Sequence, residues 1–221
     1  MKKTRLSGST KKKTKTIIGI DYSLTSPAVC VNNGNLMFFY LTNKKKWIGQ
    51  QSEDIIGYEH KEWTDPIQRF KNISDFVIDI IFQTYNPQIF IEGYSFGSKG
   101  QGLFQIAENC GILKYRLQEK NYSYQTVVPS VVKKGATGKG NADKDMMYEA
   151  FVNETKIDLK KLFDTEKVGN PISDIGLPTF SVSNSFFKSI LVSFTNASYI
   201  MSLSALPFPV APFLTTLGTT V

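Results

Sequence analysis

The chain has 221 residues, of which 41% are hydrophobic and 13% aromatic, enough to bury one core of ordinary globular size. Its net charge of +7 resides in residues 1–15, where Lys2, Lys3, Arg5, Lys11, Lys12, Lys13 and Lys15 face no acid; beyond them basic and acidic residues balance. Two cysteines without metal-ligand spacing argue against a disulfide-built scaffold and a cysteine zinc site, and no apolar segment follows the N-terminal charges, so no signal peptide is expected and the chain is read as intracellular.

Residues 1–15 read as a disordered basic arm suited to nucleic acid, to a nuclear-import receptor or simply to solubility. The first structural signal is Thr16–Tyr22, where Ile17, Ile18, Gly19 and Ile20 end in a single carboxylate, Asp21. A short β-branched run bounded by polar residues reads as a buried strand. An acid there needs a cation, a hydrogen-bond network or a raised pKa, because desolvating a charge costs several kcal/mol. Asn33-Gly34 between two apolar runs signals a hairpin, so Thr16–Asp21, Ala28–Val31 and Leu36–Leu41 read as three consecutive antiparallel strands.

Residues 43–65, polar and carrying Lys44-Lys45-Lys46, read as loop with room for one short element; His60 in this polar stretch reads as a surface residue. From Pro66 the apolar positions Ile67, Phe70, Ile73, Phe76, Val77, Ile80 and Ile81 make one helical stripe, entered through Asp65 as N-cap. A strand over Gln88–Glu92 repeats the opening pattern, with Ile89-Phe90-Ile91 ending in Glu92. A glycine-containing loop follows at Gly93–Gly102, then a helix over Leu103–Lys120 and a strand over Tyr124–Val128. Lys133–Lys144, KKGATGKGNADK, reads as a basic glycine loop leading into a helix over Ala142–Val152 entered through Asn141. The expected fold class is α/β, a mixed sheet of three antiparallel strands followed by alternating helices and strands, with helices on both faces.

Near Asp174 the composition changes. Residues 175–221 hold one charged side chain, Lys188, so the chain divides into an arm (1–15), a folded domain (16–175) and an uncharged tail (176–221). A membrane span around residues 189–206 is disfavoured by its serines, Asn196 and Thr195, and no membrane partner is expected.

Asp21 and Glu92, each ending a buried strand, suit a shared divalent cation, because carboxylates are natural ligands of Mg²⁺ and Mn²⁺ and paired metals clamp both oxygens of a phosphodiester undergoing displacement. The IGID run also suits the phosphate strand of actin-like ATPases, but those want a small residue where Tyr22 stands. Lys133, Lys134 and Lys139 among glycines allow close approach of phosphate, yet no Walker A spacing is present. Tyr94, Phe96 and Lys99, just past Glu92, could stack on and contact an opened nucleic acid, or Phe96 could pack into the core.

Taken together, GIDYSLTSPAVCV, IFIEGYSFG, VVPSVVKKGATGKGNADKDMM and NPISDI resemble, in order and spacing, the RuvC-like Holliday junction resolvases, especially divergent members from phages and large DNA viruses. The resemblance covers roughly residues 16–175, and its most specific piece is Lys133, Gly138, Gly140, Ala142 and Lys144 in the pattern K-x4-G-x-G-x-A-x-K. It implies a ribonuclease H-like fold, a homodimer, and Mg²⁺-dependent nicking of symmetric strands at four-way DNA junctions. By position it implies Asp21, Glu92 and Asp174 as metal ligands and catalytic acids, and Lys133 and Lys144 as lysines that contact phosphate or stabilise developing charge. The family's second acid, three residues after Asp174, is here Leu177. A junction-binding protein with impaired catalysis and a ribonuclease H-like enzyme acting on RNA are the competing readings.

Overall fold

The computed structural model describes residues 15–94 and 101–164. A seven-stranded sheet runs in the order β4-β5-β3-β2-β1-β6-β7. Its strands are β1 (Ile17–Asp21), β2 (Ala28–Asn32), β3 (Leu36–Thr42), β4 (Gly49–Ser52), β5 (Ile55–Glu59), β6 (Gln88–Glu92) and β7 (Tyr124–Val127). β1, β2 and β3 form the expected antiparallel meander, and Gly34 at φ 113° supplies the left-handed residue that the β2–β3 turn requires. β6 then pairs parallel to β1, and β7 parallel to β6.

The sequence reading of 43–65 as mostly loop is corrected. β4 and β5 extend the sheet beyond β3, and a 3-10 turn at Lys45–Trp47 precedes them. β4 (GQQS) is a polar strand at the end of the sheet, and the register of its pairing with β5 shifts between Gln50 and Ser52. A strand as short and polar as β4 leaves no alternating pattern, and β5 carries a glycine in the middle of its apolar run.

Helix α1 (Pro66–Phe82) starts as expected: Asp65 accepts a 2.9 Å bond from the Gln68 amide, with proline at the first helical position. Replacing Asp65 by alanine removes that bond and is expected to lower unfolding stability by about 1 kcal/mol in a denaturant titration. α1 and α2 (Gln101–Glu119) pack on one sheet face over Ile18, Ile20, Val29, Ile89 and Ile91. The opposite face is covered by α4 (Lys144–Thr155) and α5 (Leu159–Leu162), whose Phe151 and Leu159 join Phe163 over Ala28, Cys30, Phe38 and Tyr40. Helices thus cover both faces, and the α/β class is as expected. Each fully buried aliphatic or aromatic side chain in these layers contributes about 1.5–3 kcal/mol of transfer free energy.

The lysine segment is a second correction. Lys133 and Lys134 lie on a helix, α3 (Pro129–Thr137), not in a loop. Gly135 does not break it, because Pro129 opens the helix, Val132 is buried beneath it, and the residue that ends it is Gly138 in the left-handed conformation at φ 78°. α4 is entered through Asp143, which accepts from the Met146 amide, rather than through Asn141. His60 is buried, not on the surface: its ring packs on Trp63 and its Nε2 lies 2.8 Å from the Thr25 carbonyl, a partner 35 residues away that no local pattern announces. Cys30 and Cys110 are buried and unbridged. No helix among the described residues is long and apolar enough to cross a membrane.

Candidate active site

β1 and β6 run parallel and side by side, with Ile20 opposite Ile91, so the next residues, Asp21 and Glu92, end adjacent strands at the same edge. From β1 the chain turns to β2 on one side; from β6 it goes on to β7 on the other. This is a switch point of the sheet, the place where open α/β folds leave a crevice outside the carboxyl ends of their strands. Such a cleft is present. It measures about 160 Å³ and is lined by Asp21, Tyr22, Ser23, Glu92, Gly93, Tyr94, Leu103, Ile106 and Cys110.

Electrostatics make the two acids interdependent. Burial, and secondarily the neighbouring Glu92 charge, push Asp21 up to about 8. Removing the Glu92 charge with Glu92→Gln is therefore expected to lower the Asp21 pKa while leaving it above an ordinary carboxylate, as carboxyl-carbon NMR titration would read. A hard divalent cation relieves both causes at once, since it replaces the lost hydration and neutralises the like charges. The donor set fits Mg²⁺ or Mn²⁺ in chemistry, as two carboxylates facing one cleft. Among the described residues no group of three or more metal-ligating side chains is assembled, so a cation would complete its shell with water or with residues outside them. Asp174, read from the resemblance as the third ligand, lies outside the described residues, as do Phe96 and Lys99.

The walls of the cleft come from α2. Leu103, Ile106 and Cys110 follow helical spacing on one side of it, a signal present in the sequence but legible there only as core. Tyr94 is 39% exposed at the rim, its hydroxyl 3.4 Å from the Ala107 carbonyl. The loop after Asp21 is braced from behind. Arg69 donates to the Leu24 carbonyl at 2.8 Å, His60 bonds the Thr25 carbonyl, and the Ser26 amide donates to Ser23 Oγ at 2.9 Å. Arg69 also lies over the Trp63 ring at 4.8 Å. Burial and the Arg69 charge lower the His60 pKa, so the neutral ring presents Nε2–H to a carbonyl that can only accept.

The predicted lysines sit one strand further on. Glu92 pairs with Val127 at the end of β7, and α3 begins two residues later. Gly93 lies close to β7: its amide donates to the Val127 carbonyl at 2.8 Å, and a side chain there would press on Thr126 at 3.1 Å. Lys133 is half-buried on α3 and Lys134 exposed; Lys139 is exposed in the turn to α4, and Lys144 is exposed at the first position of α4. The structure thus brings Asp21, Glu92 and Tyr94 to one cleft and places the lysines on the elements that follow β7.

No family model matches the chain, and no curated protein matches it. Solved structures to which it is similar include Thermus thermophilus RuvC, at 14% identity over 79% of this chain and 96% of that one, with a TM-score of 0.48. T. thermophilus RuvC in complex with a Holliday junction substrate matches at 10% identity over 80% of this chain and 96% of that one, with a TM-score of 0.49. The yeast mitochondrial Holliday junction resolvase Ydc2 matches at 14% identity over 87% of this chain and 89% of that one, with a TM-score of 0.43. At these identities the likeness concerns the fold.

Proposed function

We propose that the protein is a divalent-metal-dependent endonuclease that nicks four-way DNA junctions, working as a homodimer in DNA recombination or repair. The observation that carries this reading is the pairing of Asp21 with Glu92 at the carboxyl ends of adjacent parallel strands, facing a cleft at the switch point of the sheet. Asp21 and Glu92 would hold Mg²⁺ or Mn²⁺, with Asp174 as a third ligand, and the cation when bound supplies Lewis-acid polarisation of a phosphodiester. The chain's own residues supply the rest. Asp21 gives up its proton to become a ligand. The braced loop from Tyr22 to Ser26 holds that carboxylate in place. Lys133, Lys134, Lys139 and Lys144 attract the phosphates, and Tyr94, with Phe96 and Lys99 in the following segment, offers stacking and charge to unpaired bases.

The test is a synthetic four-way junction incubated with purified protein. Paired nicks in Mg²⁺ and none with a chelator are expected. Cleavage of structured RNA with the junction left intact would move the substrate to RNA. A second reading, junction binding without catalysis, is favoured by Leu177 at the position where the family carries another acid. Tight binding without nicks in either Mg²⁺ or Mn²⁺ would establish that reading instead.

A further inference from the structure

The charge run at Lys44–Lys46 has no part in the cleft, yet the turn that carries it is anchored to the core through Trp47. Its 3-10 turn ends in Trp47, which is only 5% exposed. The Trp47 carbonyl accepts a buried 2.6 Å bond from the Tyr40 hydroxyl, and the indole packs edge-on against Phe163 at 5.6 Å. Lys44 and Lys46 place their ammonium groups 4.2 and 5.3 Å from the centre of that one indole ring. Phe163 in turn directly follows α5, which carries Lys160 and Lys161. The two short lysine-bearing turns thus pack together through Trp47 and Phe163, with Lys160 5.0 Å from the centre of the Tyr148 ring. The carboxylates on the same turns are Asp158, whose oxygen is engaged by the Lys161 amide and the Tyr148 hydroxyl, and Asp164. Lys45, Lys46 and Lys160 have no ion-pair partner among the described residues, and Lys161 acts electrostatically on Asp158. Like charges carried on two turns that are anchored to the core repel one another, and a polyanion as partner would relieve that repulsion.

The sheet places this patch relative to the acids. Asp21 pairs with Ala28, Ala28 with Tyr40, and Tyr40 with Gly57, so these residues form one row across the sheet. Paired residues share a face. Tyr40, which holds the Trp47 carbonyl, is two strands from Asp21, about 10 Å, and Gly57 beneath that carbonyl is three strands away, about 14 Å. Along one strand of duplex DNA this offset is roughly four base steps.

We propose that Lys44, Lys45, Lys46, Lys160 and Lys161 form one phosphate-binding patch for the backbone of a duplex DNA arm whose scissile strand lies at Asp21 and Glu92. The proposal rests on the nuclease reading for the position of the scissile strand, but not for the affinity of the patch. Binding of the full chain to a fluorescent four-way junction and to a linear duplex, measured across a series of salt concentrations, tests it. Changing Lys45, Lys46 and Lys161 together to glutamine is expected to weaken binding about tenfold or more at low salt. It should also reduce the slope of log affinity against log salt by about 2–3, on junction and duplex alike. The same three positions changed to arginine should retain the wild-type slope. These side chains are exposed or at the turn surface, and circular dichroism verifies that the variants are folded. An unchanged slope in the folded glutamine variant overturns the patch. A wild-type chain that binds with a steep salt slope yet never nicks overturns the nuclease reading and leaves the patch standing.

Discussion

Asp21→Asn is expected to abolish junction nicking while making the metal-free protein more stable. The variant keeps the shape of the side chain and removes the charge that would bind the cation. Losing the several kcal/mol of charge stabilisation that a metal supplies corresponds to a fall of roughly a thousandfold or more in single-turnover rate. The stability change has the opposite sign. In the unfolded chain Asp21 titrates near 3.8, and in the folded protein near 8. Between those values the folded state holds a proton that the unfolded state has released, so the contribution of Asp21 to unfolding stability falls as pH rises from about 4 to about 8 and is level above that. Asparagine does not titrate. The variant should match the wild type near pH 4 and exceed it at pH 8, seen as a higher melting temperature. Mg²⁺ should raise the wild-type melting temperature more at pH 8 than at pH 6, because binding must displace the proton, and should leave the variant unmoved. Equal melting curves for the two proteins at pH 8, or nicks that survive the substitution, would remove Asp21 from the site.

The second large effect is structural and lies away from the acids. Gly57→Ala is expected to destabilise the fold by about 3 kcal/mol or more. A Cβ at this position would run into the Trp47 carbonyl oxygen and come within 2.7 Å of the Tyr40 ring and hydroxyl. The first obstacle is backbone and the second is a ring that is fully buried, so neither can swing aside. The backbone at Gly57 is an ordinary strand, and the glycine is needed for close approach rather than for a left-handed turn. Relief requires Trp47 to lift off the sheet, which breaks the Tyr40 bond and the contact with Phe163. Thermal unfolding measures the loss. If the mounting of the lysine turn depends on this packing, the same substitution also weakens duplex binding at temperatures where the protein is still folded.

Much of the frame around the acids was legible in order along the chain. β1 and β6 are short β-branched runs ending in an acid, α1 has its cap, its proline and an unbroken stripe, and Asn33-Gly34 announces its hairpin. These are local signals, written within one turn or one strand, and the α/β class follows from their order. The misread segments share a cause. β4 is short and polar, β5 carries a glycine in the middle of its run, α3 contains a glycine in its interior and ends at another, and His60 is buried by partners from elsewhere in the chain.

What the sequence determined by itself was the chemical inventory: two acids at the ends of two buried strands, a lysine and glycine segment, and aromatic residues beside Glu92. Tertiary structure alone decided that β6 enters the sheet next to β1 and parallel to it, so that residues 71 positions apart become neighbours. Only then do burial and the charge of Glu92 push Asp21 up to about 8. The physical reason is that strand periodicity says which side chains face inward, whereas pairing partner and direction depend on how α1 packs its stripe back across the sheet. The cleft walls of α2 and the row from Asp21 to Gly57 are consequences of that packing and have no trace in local pattern.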